Sequence, residues 1–185
     1  MFGMMTKDNG SANALDLLKR DHDQVDAMFK QYEDIKDDAA DAEKKRLVAQ
    51  ICDALTVHAQ IEESIFYPAA RKALKGEEGK DLLDEAAVEH QSLKDIIARL
   101  EAAPTKDPLY DAGVKVLSEY VKHHVKEEEN ELFPKVRSSG MDLQAIGEEL
   151  EARNEQLEAR GSRAGGTARS SGKRGTESRT SRGTH

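Results

Sequence analysis

The chain has 185 residues, 35% of them charged and 4% aromatic, with no Trp and a formal net charge of −8. That length suits one domain with a sizeable core, and the composition fits helices with solvated charged faces and excludes a β-sandwich. The charge is unevenly spread: from Arg160 onward seven Lys/Arg face one acid, Glu177, so this segment is +6 and the rest −14, an acidic body that argues against nucleic acid as its main partner.

A single cysteine, Cys52, excludes an intrachain disulfide framework and suits a reducing compartment. The first ten residues contain no long apolar run, so no secretory signal is expected. No window approaches about 18 uninterrupted apolar residues, so no membrane span is expected. A soluble cytoplasmic protein follows as the default.

Residues 1–11 are polar and read as a flexible N-terminus. A first helix begins near Ser11 or Asn13, either of which suits an N-cap. Its stripe is Leu15, Leu18, His22, Val25, Phe29 and Tyr32, the three-and-four alternation of a bundle helix. A second helix, about Asp41 to Ala73, carries Leu47, Ile51, Leu55, His58, Glu62 and Ile65. Pro68 lies inside it without an N–H to donate, which predicts a kink or break near Ser64. Gly76 and Gly79 mark the following turn. A third helix, about Lys80 to Glu101, carries Leu83, Ala86, His90, Leu93, Ile97 and Leu100, and Pro104 and Pro108 frame its end. A fourth, about Leu109 to Arg137, carries Val114, Leu117, Val121, His124 and Glu128, with Pro134 in the place of Pro68. A short acidic helix, 141–159, has a thin stripe (Leu143, Ile146, Leu150, Leu157) that predicts loose attachment. Residues 160–185 are Gly, Ser, Thr and Arg, a basic tail expected to be disordered.

The fold class is therefore all-α: an antiparallel four-helix bundle over 12–137, a short C-terminal helix and a disordered basic tail. The bundle is internally duplicated. His58, Glu62, Glu63, Phe66, Tyr67 and Pro68 match His124, Glu128, Glu129, Leu132, Phe133 and Pro134, and His22 and His90 precede the two copies by 36 and 34 residues. Residues four apart lie about 40° apart around a helix and ~6 Å along it, so each His-x-x-x-Glu can reach one ion. His22, His58, Glu62, His90, His124 and Glu128 occupy core stripes where Leu or Ile would be expected. Burying four imidazoles and two carboxylates without partners is strongly destabilising, and a dication offsets that cost. These residue types suit iron, manganese or zinc. His123 points about 100° away from His124 and reads as solvent-facing or as support behind a ligand. Glu63 and Glu129, equally offset, read first as solvated surface and second as an extra ligand or an ion entering the site. Tyr32, Tyr67 and Tyr120 read first as packing and second as a source of a redox-active neighbour of the metal, and Cys52 reads as a small buried residue.

This pattern resembles the hemerythrin-like, HHE cation-binding family over about Leu15 to Arg137. The motifs are Lys-Arg-Asp-His22-Asp, His58…Glu62-Glu63…Phe66-Tyr67-Pro68, Val-Glu-His90-Gln and His123-His124…Glu128-Glu129…Phe133-Pro134. The resemblance implies a non-haem di-iron centre, ahead of manganese or zinc. By position, Glu62 and Glu128 resemble the bridging carboxylates, His22 and His58 the terminal ligands of one iron, and His90 and His124 those of the other. Oxygen-carrying members have a further His in a third-helix HxxxH, and that position is Lys94 here. Four His in place of five leave more open positions and argue against reversible O₂ carriage.

Three readings follow. One is a binding or sensing protein for O₂, NO or iron in an oxidative or nitrosative stress response. Another is a di-iron enzyme that decomposes hydrogen peroxide. The last is a metal-free helical interaction module. The partner is a small ligand, with nucleic acid reachable only through the basic tail.

Overall fold

The computed structural model describes residues 12–168. The expected flexible N-terminus, 1–11, and the tail beyond 168 lie outside the described residues. Helix α1 (Ala14–Ile35) starts at Asn13, whose side-chain oxygen accepts from the backbone N–H of Leu15 and Asp16. Then come α2 (Asp41–Ile61), a π-helical turn (Glu62–Phe66) and α3 (Tyr67–Ala73), which form one continuous rod. Helix α4 (Glu77–Ala102) crosses back. The pattern repeats in α5 (Tyr110–Glu127), a second π-helical turn (Glu128–Leu132) and α6 (Phe133–Ser138). Helix α1 packs on α2 and α5, and α4 packs on α2 and α5, which closes the four-rod bundle.

The expected break near Ser64 is instead a widened turn, and the second copy has the same one. Tyr67 N–H donates to Glu62 O and Phe133 N–H to Glu128 O, each five residues back. A π turn placed directly before the proline absorbs its missing donor without breaking the rod. Two further expectations change. Gly79 lies inside α4, and the helix begins at Glu77 behind the N-cap Gly76. The C-terminal helix, α7, runs Leu143–Ala168 and so passes the expected end at Ala159; no Pro interrupts it.

Nor is α7 loosely attached. Leu150 is 1% exposed and belongs to the core cluster that contains Leu15, Leu18, Phe66 and Phe133. Gly147 makes the approach possible: a Cβ there would lie 2.6 Å from Ala12 O and 2.9 Å from Ala14 N. A second apolar cluster fills the other end with Val25, Phe29, Tyr32, Ile51, Leu55, Leu93, Ile97, Leu117 and Val121. Cys52 is buried within it, as expected. At that end Lys44 reaches Asp111 at 2.7 Å, and Lys45 Nζ donates to Leu100 O, Glu101 O and Ala103 O at the end of α4. Between the two clusters lies a polar layer. No helix among the described residues is long and apolar enough to cross a membrane.

Candidate metal centre

The structure brings all six expected residues together in that layer. His22, His58, Glu62, His90, His124 and Glu128 are each at most 8% exposed. The imidazoles meet in pairs, His22 Nε2 against His58 Nε2 at 3.0 Å and His90 Nε2 against His124 Nε2 at 3.0 Å. Each glutamate lies across both pairs. Glu62 Oε2 is 3.2 Å from His58 Nε2 and 3.4 Å from His90 Nε2. Glu128 Oε2 is 3.3 Å from His22 Nε2 and 3.6 Å from His124 Nε2.

The opposite ring nitrogens face carboxylates. His22 Nδ1 is 3.0 Å from Glu129, His90 Nδ1 2.9 Å from Glu63 and His124 Nδ1 2.8 Å from Glu89. His58 Nδ1 is 3.7 Å from Asp21, beyond hydrogen-bond reach, and makes no hydrogen bond. The duplication therefore extends further than the ligand residue types. The acid before each first His (Asp21, Glu89) faces the Nδ1 of the second His in its own half. The acid after each core Glu (Glu63, Glu129) holds the Nδ1 of the first His in the other half.

Glu63 and Glu129 are thus not plain solvated surface, a correction to the sequence reading. Both are partly exposed, and cations hold them in place: Lys94 Nζ is 2.6 and 2.7 Å from the Glu63 oxygens, and Lys19 Nζ is 2.7 Å from Glu129. Partial burial would raise their pKa values, but hydrogen bonds from Lys94 and His90 to Glu63, and from Lys19 and His22 to Glu129, outweigh it and keep both carboxyls below their ordinary range. Lys94 accordingly acts on a carboxylate behind His90. His123 is 61% exposed on the side-chain measure, as the reading from helix phase expects.

Tyr67, which the sequence reads first as packing and second as a redox-active neighbour of the metal, reaches the polar layer. Its hydroxyl donates to Glu128 Oε1 at 2.9 Å and lies 3.5 Å from Glu62 Oε2 and 3.3 Å from His90 Nε2. An uninterrupted α-helix would carry residue 67 about 140° around from residue 62. The π turn returns it to the same face. The signal in the sequence was the proline one residue later. In the other half the equivalent residue is Phe133, stacked on His22 at 6.0 Å with an interplanar angle of 10°. The two halves therefore differ in the aromatic that faces the layer.

The donor set fits dications. A neutral imidazole that donates from Nδ1 has a bare lone pair at Nε2. His90 and His124 both have a carboxylate at Nδ1, so their Nε2 lone pairs would oppose each other at 3.0 Å. Only a proton or a metal ion between them relieves that. Buried Glu62 Oε1 and Glu128 Oε2 make no hydrogen bond, an arrangement that costs several kcal/mol per ion unless a cation compensates. His22, His58, Glu62 and Glu128 offer one group of ligand atoms within 4.8 Å of one another, and Glu62, His90 and His124 a second. Without metal, protons take the role. Burial would lower the pKa of His58 and of His124, but Glu62 and Asp21 raise the first to about 10, and Glu128 and Glu89 raise the second to about 9.

Comparison with known proteins agrees with this geometry. A crystal structure of a hemerythrin HHE cation binding domain-containing protein from Mycobacterium kansasii superposes with a TM-score of 0.67 at 26% identity, over 88% of this chain and 95% of that one. An uncharacterized protein of Mycobacterium tuberculosis is 29% identical over 139 residues, 73% of this chain and 81% of its own length. A DNA nickase of Nostoc is 27% identical over 132 residues, 71% of this chain, which spans only 36% of that protein. Residues 13–136 match the family described as Hemerythrin HHE cation binding domain. With four helical rods around a His/Glu layer and a match over most of its length, this chain belongs to the hemerythrin HHE cation-binding family.

Proposed function

We propose that the chain is a non-haem di-iron protein in which His22 and His58 would hold one ion and His90 and His124 the other, with Glu62 and Glu128 as carboxylates shared between them. It binds O₂, NO or the iron itself in a response to oxidative or nitrosative stress, in a reducing, cytoplasmic setting. The observation that supports this best is the pair of opposed Nε2 contacts, with carboxylates hydrogen-bonded at the Nδ1 atoms of His22, His90 and His124. Bound iron would supply redox chemistry and open positions for a small ligand.

The chain's own residues do the rest. The carboxylates at Nδ1 fix tautomer and ring orientation and raise the basicity of the imidazoles. Glu62 and Glu128 supply negative charge inside an otherwise apolar bundle. A cavity of about 30 Å³ adjoins all four imidazoles, walled by Val25, Leu55, Leu93, Ile97 and Val121. It takes a molecule near the size of water and excludes larger substrates. Burial, then the charges of Glu62 and Glu128, push the Tyr67 phenol well above its ordinary pKa, so it stays protonated and donates.

Tyr67 also favours the second reading, a peroxide-decomposing enzyme. Its hydroxyl places a proton donor beside both carboxylates, and four imidazoles leave positions open. Peroxide added to the iron-loaded protein separates the two readings. Sustained O₂ evolution with turnover supports the enzyme, and one stoichiometric oxidation supports the binding protein. Purification without any metal after iron supplementation refutes both and leaves the helical interaction module.

A further inference from the structure

The fourth rod carries the His-x-x-x-Glu spacing twice, offset by one residue: His124/Glu128 faces inward and His123/Glu127 outward. The outward copy is completed from α4. His123 Nε2 lies 3.3 Å from Glu127 Oε1 and 3.5 Å from Glu89 Oε1. Ligands at about 2.1 Å from a tetrahedral ion are separated by about 3.4 Å, so these donor atoms already stand at ligand spacing. All three residues offer ligand atoms within 4.8 Å of one another.

Glu89 is held for this task from behind. Its Oε2 is fixed by His124 Nδ1 at 2.8 Å, while Oε1 faces His123. One ligand is thus anchored by a buried imidazole before any cation arrives. The lysines nearest in sequence, Lys122 and Lys126, line the groove toward α1 on another face of α5, not the cluster. Side-chain exposures of 61% for His123, 26% for Glu127 and 17% for Glu89 leave it open to solvent on one side.

We propose that His123, Glu127 and Glu89 form a surface site for one divalent transition-metal cation of the ferrous or zinc class, separate from the buried layer. One imidazole and two carboxylates suit such ions, and the open side leaves a position for water. The site is weaker than the buried one because it is wet and has fewer protein ligands.

The test is a cobalt(II) titration of the full chain, followed by visible absorbance, with wild type beside His123→Ala and Glu127→Gln. Each variant is expected to bind one equivalent fewer, lost from the weakest class, with thermal unfolding of the metal-free protein unchanged. Retention of every wild-type equivalent by His123→Ala overturns the site. The result is independent of the buried centre: one equivalent in wild type and none in His123→Ala keeps the surface site and refutes the buried one.

Discussion

Replacing Glu63 by Gln tests whether the carboxylates behind the imidazoles matter to the metal. Glu63 is a third exposed, pairs with Lys94 at 2.6 Å and receives the Nδ1–H of His90 at 2.9 Å. Glutamine retains an acceptor for His90 but removes the charge that makes the imidazole a better base. Loss of such a partner costs 10–100-fold in metal affinity, or about 1.4–2.7 kcal/mol, and the retained acceptor places Glu63→Gln near the lower end. The lost surface pair with Lys94 changes folding stability by less than about 1 kcal/mol. The geometry also ranks the set. Glu129→Gln should match Glu63→Gln, since its contact with His22 is 3.0 Å, whereas Asp21→Asn should do least, because Asp21 stands 3.7 Å from His58. Competition against a chromophoric chelator measures the affinities. A change under twofold for Glu63→Gln and Glu129→Gln, or a larger one for Asp21→Asn, would refute the reasoning.

Tyr67→Phe deletes the donor to Glu128 Oε1 and strands a buried carboxylate oxygen, so denaturant unfolding of the metal-free protein should lose about 1.5–3 kcal/mol; a loss below about 0.5 kcal/mol would contradict the assigned contact. Gly147→Ala improves helix propensity by about 1 kcal/mol, but its Cβ meets Ala12 O and Ala14 N, backbone atoms that cannot turn aside. The clash should win by about 1–3 kcal/mol and speed amide exchange along α7, and a raised Tm would show that α7 is not seated as described. Metal-free protein should lose stability as pH rises. His58 and His124 have folded values of about 10 and about 9, above the ordinary 6.5, so their contribution is complete below pH 6.5 and vanishes as pH climbs through 9–10. Thermal melts should decline over that range and lose this decline once metal replaces the protons; a flat metal-free profile would argue against protonated imidazoles.

The helical rods, their antiparallel order and the six inward His and Glu residues were legible because each rests on a 3.6-residue period that the core enforces. His22 between Leu18 and Val25, and His90 between Ala86 and Leu93, sit where only a buried side chain fits. What escaped was whatever depended on a departure from that period. Tyr67 comes into the layer only through the π turn, and Pro68 alone does not distinguish a widened turn from a break. Glu63 and Glu129 lie about 100° off the ligand stripe, and their contacts cross between halves of the bundle, so no local pattern marks them. The seating of α7 rests on Gly147, whose role appears only when the start of α1 lies against it.

The central claim is that the opposed imidazoles and the two buried carboxylate oxygens without a hydrogen bond serve to hold two ions. Iron quantification on protein purified after iron supplementation tests it most directly, with His58→Ala and His124→Ala measured in parallel. The account predicts two tightly held irons per wild-type chain, apart from any ion held weakly at the surface cluster, and loss of both tight irons when these two substitutions are combined. A metal-free wild-type chain, or iron retained in full by the double variant, would contradict it.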